Sequence, residues 1–210
     1  YKGLGYLHLF IAAYIRMVSM RPGINRFVAG RRIYARNNIE VVLTVRRTMS
    51  TTSNETTIKA VFAPTDTIFD VHRKMNEKID ELKYGGEDNN TEQVAGALLK
   101  LPRFLLRFAI GCLRVMDYFG IIPQKLLDAS PFHGSMIITD MGSLGIPPIY
   151  HHLYNFGTLP MFIAFGAKRK AVELDREGKA VERKYIDFMA VMDERVCDGY
   201  YYASSFKYMK

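Results

Sequence analysis

The chain has 210 residues, of which 49% are hydrophobic and 24% charged, enough for one large domain or two small ones around a sizeable core. That balance excludes a disordered chain, a collagen and a disulfide scaffold. The two cysteines, Cys112 and Cys197, each sit inside an apolar run and read as buried, reduced thiols of a cytoplasmic protein. The formal charge of +8 is concentrated at one end: residues 1–50 hold nine basic groups against Glu40 alone, and the remainder is balanced. Such a block attracts phosphate, nucleic acid, an acidic partner or an anionic membrane. No zinc spacing and no aromatic RNA-binding signature accompany it, so nucleic acid is not expected as a partner.

Gly3 to Met20 reads as a helix that is apolar around most of its circumference and therefore buried. Its apolar run, Leu4 to Met20, is interrupted by His8 and Arg16 and is too short for a membrane span. The chain opens on Tyr1, and a further N-terminal segment is expected before it. Arg21-Pro22-Gly23 stops the helix, because proline removes a donor and glycine turns the chain. Two strands follow, Arg31–Ala35 and the β-branched Ile39–Arg47, with Asn37-Asn38 suited to the turn between them. Thr48 to Thr57 reads as a hydroxyl-rich loop and Ile58–Ala63 as a strand.

Thr67 and Asp70 mark a capping box for a helix to about Leu82, with Ile68, Val71, Met75, Ile79 and Leu82 on its core stripe. A polar turn cluster, Tyr84 to Asn90, precedes a helical region from Val94 to Phe119, which Pro102 breaks or restarts. Met136–Thr139, Met161–Ala167, Lys170–Leu174 and Val181–Met192 read as strands. Asp175-Arg176-Glu177-Gly178 makes a hairpin turn, and a last helix begins near Tyr200. This order predicts a single α+β domain over 1–210, built on one large mixed sheet with helices.

The most informative segment follows the last long strand: Met192-Asp193-Glu194-Arg195-Val196-Cys197-Asp198-Gly199-Tyr200-Tyr201-Tyr202. It resembles the active-site motif of chloramphenicol acetyltransferases and of dihydrolipoamide acyltransferase catalytic domains of 2-oxoacid dehydrogenase complexes. There, a histidine stands four residues before an Asp-Gly pair, followed by an aromatic-rich helix. Further matches run through Gly23-Ile24-Asn25-Arg26-Phe27, Arg31-Arg32-Ile33-Tyr34 and Asn38-Ile39-Glu40-Val41. The stretch Ser135 to Gly145 is similar to the family's strand end with a hydroxyl, two residues and a glycine. The resemblance implies a chloramphenicol acetyltransferase-like two-layer sandwich, a trimer or trimer-based cage, and acyl-transfer sites at subunit interfaces.

By the same resemblance, Glu194 fills the position of the family histidine, the base that frees a thiol or hydroxyl to attack an acyl thioester. A carboxylate is intrinsically the weaker base. Thr139 falls where the family donates to the oxyanion, Asp198 where an aspartate orders the site through an arginine, and Gly199 where the strand-to-helix turn needs its backbone. His151 and His152, in a segment that lines the substrate channel of related folds, and Ser143 are the expected substrate-binding residues. His151 and His152 also offer a replacement for the base, with His133 behind them as a turn residue. The expected substrates are a coenzyme A thioester and a small acyl acceptor bearing a thiol or hydroxyl. A catalytically inactive relative kept as an oligomeric cage or scaffold is the alternative. Nothing resembles a lipoyl or peripheral-subunit-binding domain. No two histidines stand at i, i+4 and the cysteines lie far apart, so no metal is expected.

Lys100, Arg103, Arg107 and Arg114 share one helical face amid leucine, phenylalanine and isoleucine. Three settings suit such a helix: a packed helix with a solvated basic face, a subunit contact, or an anionic membrane surface. Because the same apolar residues are expected to pack the domain, contact with solvent or another subunit is predicted, without stable membrane anchoring.

Overall fold

The computed structural model describes residues 3–46, 55–84, 96 and 100–209. Its strands are β1 (Arg26–Ala29), β2 (Arg32–Ala35), β3 (Ile39–Arg46), β4 (Glu55–Phe62), β5 (Met136–Asp140), β6 (Met161–Leu174) and β7 (Ala180–Met192). The main helices among the described residues are α1 (Tyr6–Met20), α2 (Ile68–Tyr84), α3 (Arg103–Phe119), α4 (Gln124–Ala129) and α5 (Gly199–Phe206). β3 to β7 form a five-stranded sheet in the order β4-β3-β5-β6-β7. The three central strands run parallel and each outer strand antiparallel to its neighbour, which is the mixed α+β sheet expected.

Strand alternation sorts the side chains onto two faces. Met136 and Ile138 of β5, Val41 and Leu43 of β3, and Ile163 and Phe165 of β6 point into one core with Ile11, Tyr14 and Ile15 of α1, Val71 and Met75 of α2, and Tyr202 of α5. Phe10 of α1 stacks on Phe165 at 4.9 Å. The opposite face carries a small cluster, Val42, Ile137 and Phe162, closed by Leu159 and Leu153 of the irregular segment before β6. Ser135 locks the centre: it donates to the Glu40 carbonyl at 2.8 Å, its hydroxyl accepts from the Glu40 amide at 3.0 Å, and its carbonyl accepts from the Tyr14 hydroxyl at 3.2 Å. The Thr67–Asp70 capping box forms as predicted, with the Thr67 amide donating to Asp70 at 3.0 Å and the Asp70 amide to the Thr67 hydroxyl at 3.4 Å. His8, which interrupts the apolar run of α1, turns its Nδ1 back to accept from the Gly5 amide at 3.0 Å.

The structure corrects several expectations. Asn37-Asn38 does not close a hairpin. β2 pairs instead with β1, through a Gly30-Arg31 turn with φ of 54° and 65°, and the two asparagines lead from this ribbon into the main sheet. The Asn25 side chain donates to the Asn38 carbonyl at 2.9 Å and holds that passage. The predicted strands Met161–Ala167 and Lys170–Leu174 are one strand with a bulge between Phe165 and Lys168. Gly166 lies in that bulge because Pro148 packs against it: a Cβ there would stand 2.6 Å from the proline nitrogen. Thr56 and Thr57 belong to β4, while residues 48–54 of the predicted loop and most of 85–99 lie outside the described residues. Pro102 is the N-cap of α3 and marks a new start.

Cys112 is exposed and Cys197 half-buried, so neither is the fully buried thiol expected, and both are free. The larger departure is α3. None of its residues is buried, and Phe104 and Phe108 are each 71% exposed. The apolar residues of this helix therefore do not pack the domain as predicted. Among the described residues no helix is long and apolar enough to cross a membrane. Chemical denaturation should separate the two environments. Ile138→Ala is expected to cost about 2–5 kcal/mol, because it opens a cavity at the sheet centre. Phe108→Ala should stay within about 0.5 kcal/mol of the parent.

Candidate active site

β5 and the segment that crosses over β6 build the site. Thr139 is the fourth residue of β5 and pairs with Ala164, on the face opposite the helices. The preceding pair on that face is Ile137 with Phe162. The segment leaving β5 folds back over β6: the Ile146 carbonyl accepts from the Ala167 amide at 2.9 Å, Pro148 meets Gly166, and His151 reaches Phe162. The His151 ring stacks on Phe162 with centroids 4.1 Å apart and planes 13° from parallel. Thr139 and His151 thus share one sheet face. Among the described residues the Thr139 hydroxyl and the His151 Nε2 are buried without a hydrogen-bond partner, as are His8 Nε2, Arg21 Nε, Asn25 Oδ1 and Arg36 Nε elsewhere. Thr139 and His151 are the two of these on the open face, and a buried group left without a partner costs on the order of 1–3 kcal/mol.

Burial, followed by the neighbouring His152, holds His151 below the ordinary histidine range, so its ring is neutral at pH 7 and can accept a proton. His152 itself is exposed and meets Tyr154 edge-on. Ser143 lies in the turn after β5 and is exposed. Its amide donates to the Asp140 carboxylate at 2.9 Å and its hydroxyl to the Asp140 carbonyl at 2.8 Å, so both polar groups shape the turn.

Glu194 stands in the turn between β7 and α5, exposed, and among the described residues no side chain holds its carboxylate. Its Oε1 lies over the first residue of α5, 3.5 Å from where a Gly199 Cβ would stand. Gly199 has no left-handed φ and an alanine there would make an ordinary contact, so the expected backbone requirement is absent. Asp198 is the N-cap of α5, accepting from the Tyr201 amide at 2.8 Å. The expected arginine partner of Asp198 is not seen. The ion pair of this turn belongs to Asp193 and Arg195, at 2.7 Å, and among its several causes the Arg195 contacts set the carboxyl of Asp193 below its usual range despite burial. Cys197, on the same turn, has its thiol pushed up by burial.

The chain does not bring Glu194 to Thr139. Met192, two residues before Glu194, pairs with Met161, whereas Thr139 pairs with Ala164, three residues further along β6 and two strands away from β7. At about 3.3 Å per residue and 4.8 Å per strand, Met192 and Thr139 stand on the order of 14 Å apart, and Glu194 lies two residues past Met192.

Sequence reasoning missed Phe162, and it read His133 as a turn residue without its partners. Phe162 is the platform of His151, and only its place on the open face of β6 marks it. His133 is buried and bridges Asp117 at 3.0 Å and the Ser130 hydroxyl at 2.7 Å, while the other Asp117 oxygen accepts from the Gly157 amide at 3.2 Å. The aspartate, histidine and serine stand in the order of a nucleophile relay. The Ser130 hydroxyl, however, is also engaged by the Phe132 amide at 3.3 Å, and the group ties the end of α3 to the loops beneath it. Among the described residues no group of three or more His, Cys, Asp or Glu could hold a metal ion.

No protein-family model matches the sequence, and no curated protein is significantly similar to it. Solved structures do match in fold. A probable dihydrolipoamide acetyltransferase from Listeria monocytogenes superposes with a TM-score of 0.63 at 15% identity, over 98% of this chain and 68% of that one. The cubic core of a pyruvate dehydrogenase multienzyme complex gives 0.59 at 11% identity, over 98% and 67%. The dihydrolipoamide acetyltransferase of Azotobacter vinelandii gives 0.58 at 12% identity, over 98% and 67%. The chain has the fold of the catalytic cores of these acetyltransferases.

The His151 ring supplies a pH test of the site. Its proton affinity is lowered on folding, so the unfolded chain binds the proton first and stability falls as pH drops below about 6.5. His151→Gln should flatten that part of the stability profile between pH 7 and 5, and NMR should show the His151 ring titrating below the ordinary histidine range.

Proposed function

We infer that the protein transfers an acyl group from a coenzyme A thioester to a thiol or hydroxyl acceptor. The carrying observation is the unsatisfied pair on the open sheet face, the Thr139 hydroxyl and the His151 Nε2, in a fold otherwise found in acetyltransferase cores. In the Azotobacter enzyme a serine, a histidine and an asparagine have been studied in the catalytic mechanism, the last two four positions apart and the serine 52 before the histidine. Here Thr139 stands 55 residues before Glu194 and Asp198 four after it. The Thr139 hydroxyl donates to the oxyanion as the thioester carbonyl becomes tetrahedral. Glu194 takes the acceptor's proton, the acceptor attacks the carbonyl carbon, and the carbon–sulfur bond breaks to release coenzyme A as a thiol. His151, His152 and Ser143 line the acceptor's approach.

This chemistry needs a second copy. With the end of β7 at Met192 on the order of 14 Å from Thr139 and Glu194 in the turn past it, a site holding both takes Glu194 from a neighbouring subunit. A homotrimer, alone or built into a cage, supplies that arrangement, and the cubic core among the similar structures is an assembly of this kind of fold. The reading is of a cytoplasmic single-domain catalytic unit that uses no metal. The exposed, unheld carboxylate of Glu194 supports the second reading, a scaffold of the same assembly without turnover.

Two measurements decide between them. Mass photometry at micromolar concentration should show three or more chains, and a monomer alone would remove both readings. With acetyl-CoA and dihydrolipoamide, wild-type transfer should be slow. Thr139→Ala should lower it about 100-fold, and Glu194→His should raise it about tenfold. Transfer abolished by Glu194→His would establish the glutamate as the working base. No transfer by either protein, with the oligomer intact, leaves the scaffold.

A further inference from the structure

Helix α3 meets the body with one of three faces. Leu106, Ala109, Leu113 and Met116 are half-buried on the inner side, and Asp117, its only acid, is drawn inward by His133 and the Gly157 amide. At about 100° per residue, Arg103, Arg107 and Arg114 share a ridge about 40° wide. Phe104, Phe108, Val115 and Phe119 form a second ridge about 60° further round, and each is more than half exposed, Phe119 at 66%. The β1–β2 turn prolongs the basic ridge. A Cβ on Gly30 would come 2.6 Å from the carbonyl oxygen of Tyr118, one turn beyond Arg114, which sets the exposed Arg31 and Arg32 beside the end of the helix.

None of these five guanidiniums pairs with an acid among the described residues, whereas Arg73, Arg169 and Arg195 are each matched. Among the described residues, five cations without an acidic partner and a row of exposed phenyl groups lie along one edge, with no outward acid between them on α3.

We propose that this edge docks on an anionic lipid membrane, with the phenyl groups below the headgroups and the guanidiniums among the phosphates. A helix with an apolar ridge flanked by a basic one lies in the plane of the interface. Each arginine near an anionic leaflet adds to the attraction, and five together with four apolar side chains supply the two signals that durable attachment takes. A second copy fits the edge less well. Among the described residues several acids are engaged already, Asp66 with Lys74, Glu81 with Lys78, Glu182 with Lys170 and Asp187 with Arg169, and no ridge of acids matching the five arginines in length stands among them. The helix was expected from its sequence to meet solvent or a subunit, on the premise that its apolar residues pack the domain, and their exposure removes that premise.

The sequence contains no tryptophan, so Phe108→Trp introduces a single reporter on the apolar ridge. At physiological salt, vesicles of phosphatidylcholine with about one third phosphatidylserine should blue-shift its emission and sediment the protein, and phosphatidylcholine alone should do neither. Arg103→Glu, Arg107→Glu and Arg114→Glu together should weaken partitioning at least on the order of 100-fold, with circular dichroism and assembly mass unchanged. Phe104→Ser with Phe119→Ser should do the same while keeping the charge, which separates insertion from simple attraction. The proposal fails if the anionic vesicles bind no protein, or if both sets of variants bind as the parent does. It also fails if soluble inositol hexaphosphate produces the same blue shift, which would assign the ridge to free phosphate. A blue shift without vesicles that grows with protein concentration would assign the edge to a contact between copies.

Discussion

The two-way bond between Ser135 and Glu40 is the contact on which the rest of the structure depends. β5 is five residues long, and a strand that short has little intrinsic hold on its register. Ser135, immediately before it, exchanges bonds with Glu40 at the start of β3 and receives the Tyr14 hydroxyl from α1. Register and layer are thereby set at one point. A slip of one residue would carry Met136 and Ile138 out of the helix-covered core and drive Thr139 into it. Tyr14 is fully enclosed, and burial pushes its hydroxyl far above the usual tyrosine range, so it stays protonated and remains a donor to that carbonyl. Everything on the open face, from Phe162 to the segment that carries His151, is positioned by this alignment.

Much of this was legible in the residues. The core strands, the capping box at Thr67, the hairpin turn at Asp175 to Gly178 and the closing helix all announce themselves by local chemistry, because period, cap and turn are written within a few positions. The failures share a cause. The split predicted inside β6 reflects the bulge at Gly166, which exists because Pro148, far away in sequence, needs room there. The hairpin expected at Asn37-Asn38 was good turn chemistry in the wrong place, since strand partners are decided by tertiary pairing. α3 has the apolar content of a packed helix, and only the finished layers show that among the described residues one of its faces meets the body while Phe104, Phe108, Val115 and Phe119 stay exposed. For the candidate site the sequence singled out Glu194, Asp198, Thr139 and His151, of which the structure brings Thr139 and His151 to one sheet face. What each does was less legible: Asp198 is a helix cap, and the ion pair beside it belongs to Asp193 and Arg195.

The separation of Glu194 from Thr139 follows from sheet topology and does not depend on side-chain detail. β5 and β6 are parallel, and Thr139, the fourth residue of β5, pairs with Ala164, the fourth of β6. β7 is antiparallel to β6 and returns to the near end, where the turn to α5 places Glu194. A single chain with this order cannot close a reaction centre from these two residues without unmaking the sheet. A reaction centre that uses both Thr139 and Glu194 would therefore draw them from two chains, whereas one built on Thr139 and His151 would not need to.

The open face weighs between those readings. A scaffold gains nothing from a buried hydroxyl without a partner at Thr139 or from a neutral imidazole nitrogen without one at His151, and each costs on the order of 1–3 kcal/mol. For Thr139 the remedy is simple, since valine has the same shape and no hydroxyl to satisfy. A carbonyl oxygen from a substrate offers what the protein withholds: an acceptor for the Thr139 hydroxyl, strengthening as charge gathers on it. An acceptor thiol or hydroxyl offers a proton to the His151 nitrogen, whose lowered affinity keeps it free to take a hydrogen bond at neutral pH. Glu194 is then not the sole candidate to receive the proton, and the change at the family's histidine position need not end the chemistry. Thr139 and His151 are the two partnerless groups that share the open face, and a substrate lying across that face would supply partners to both.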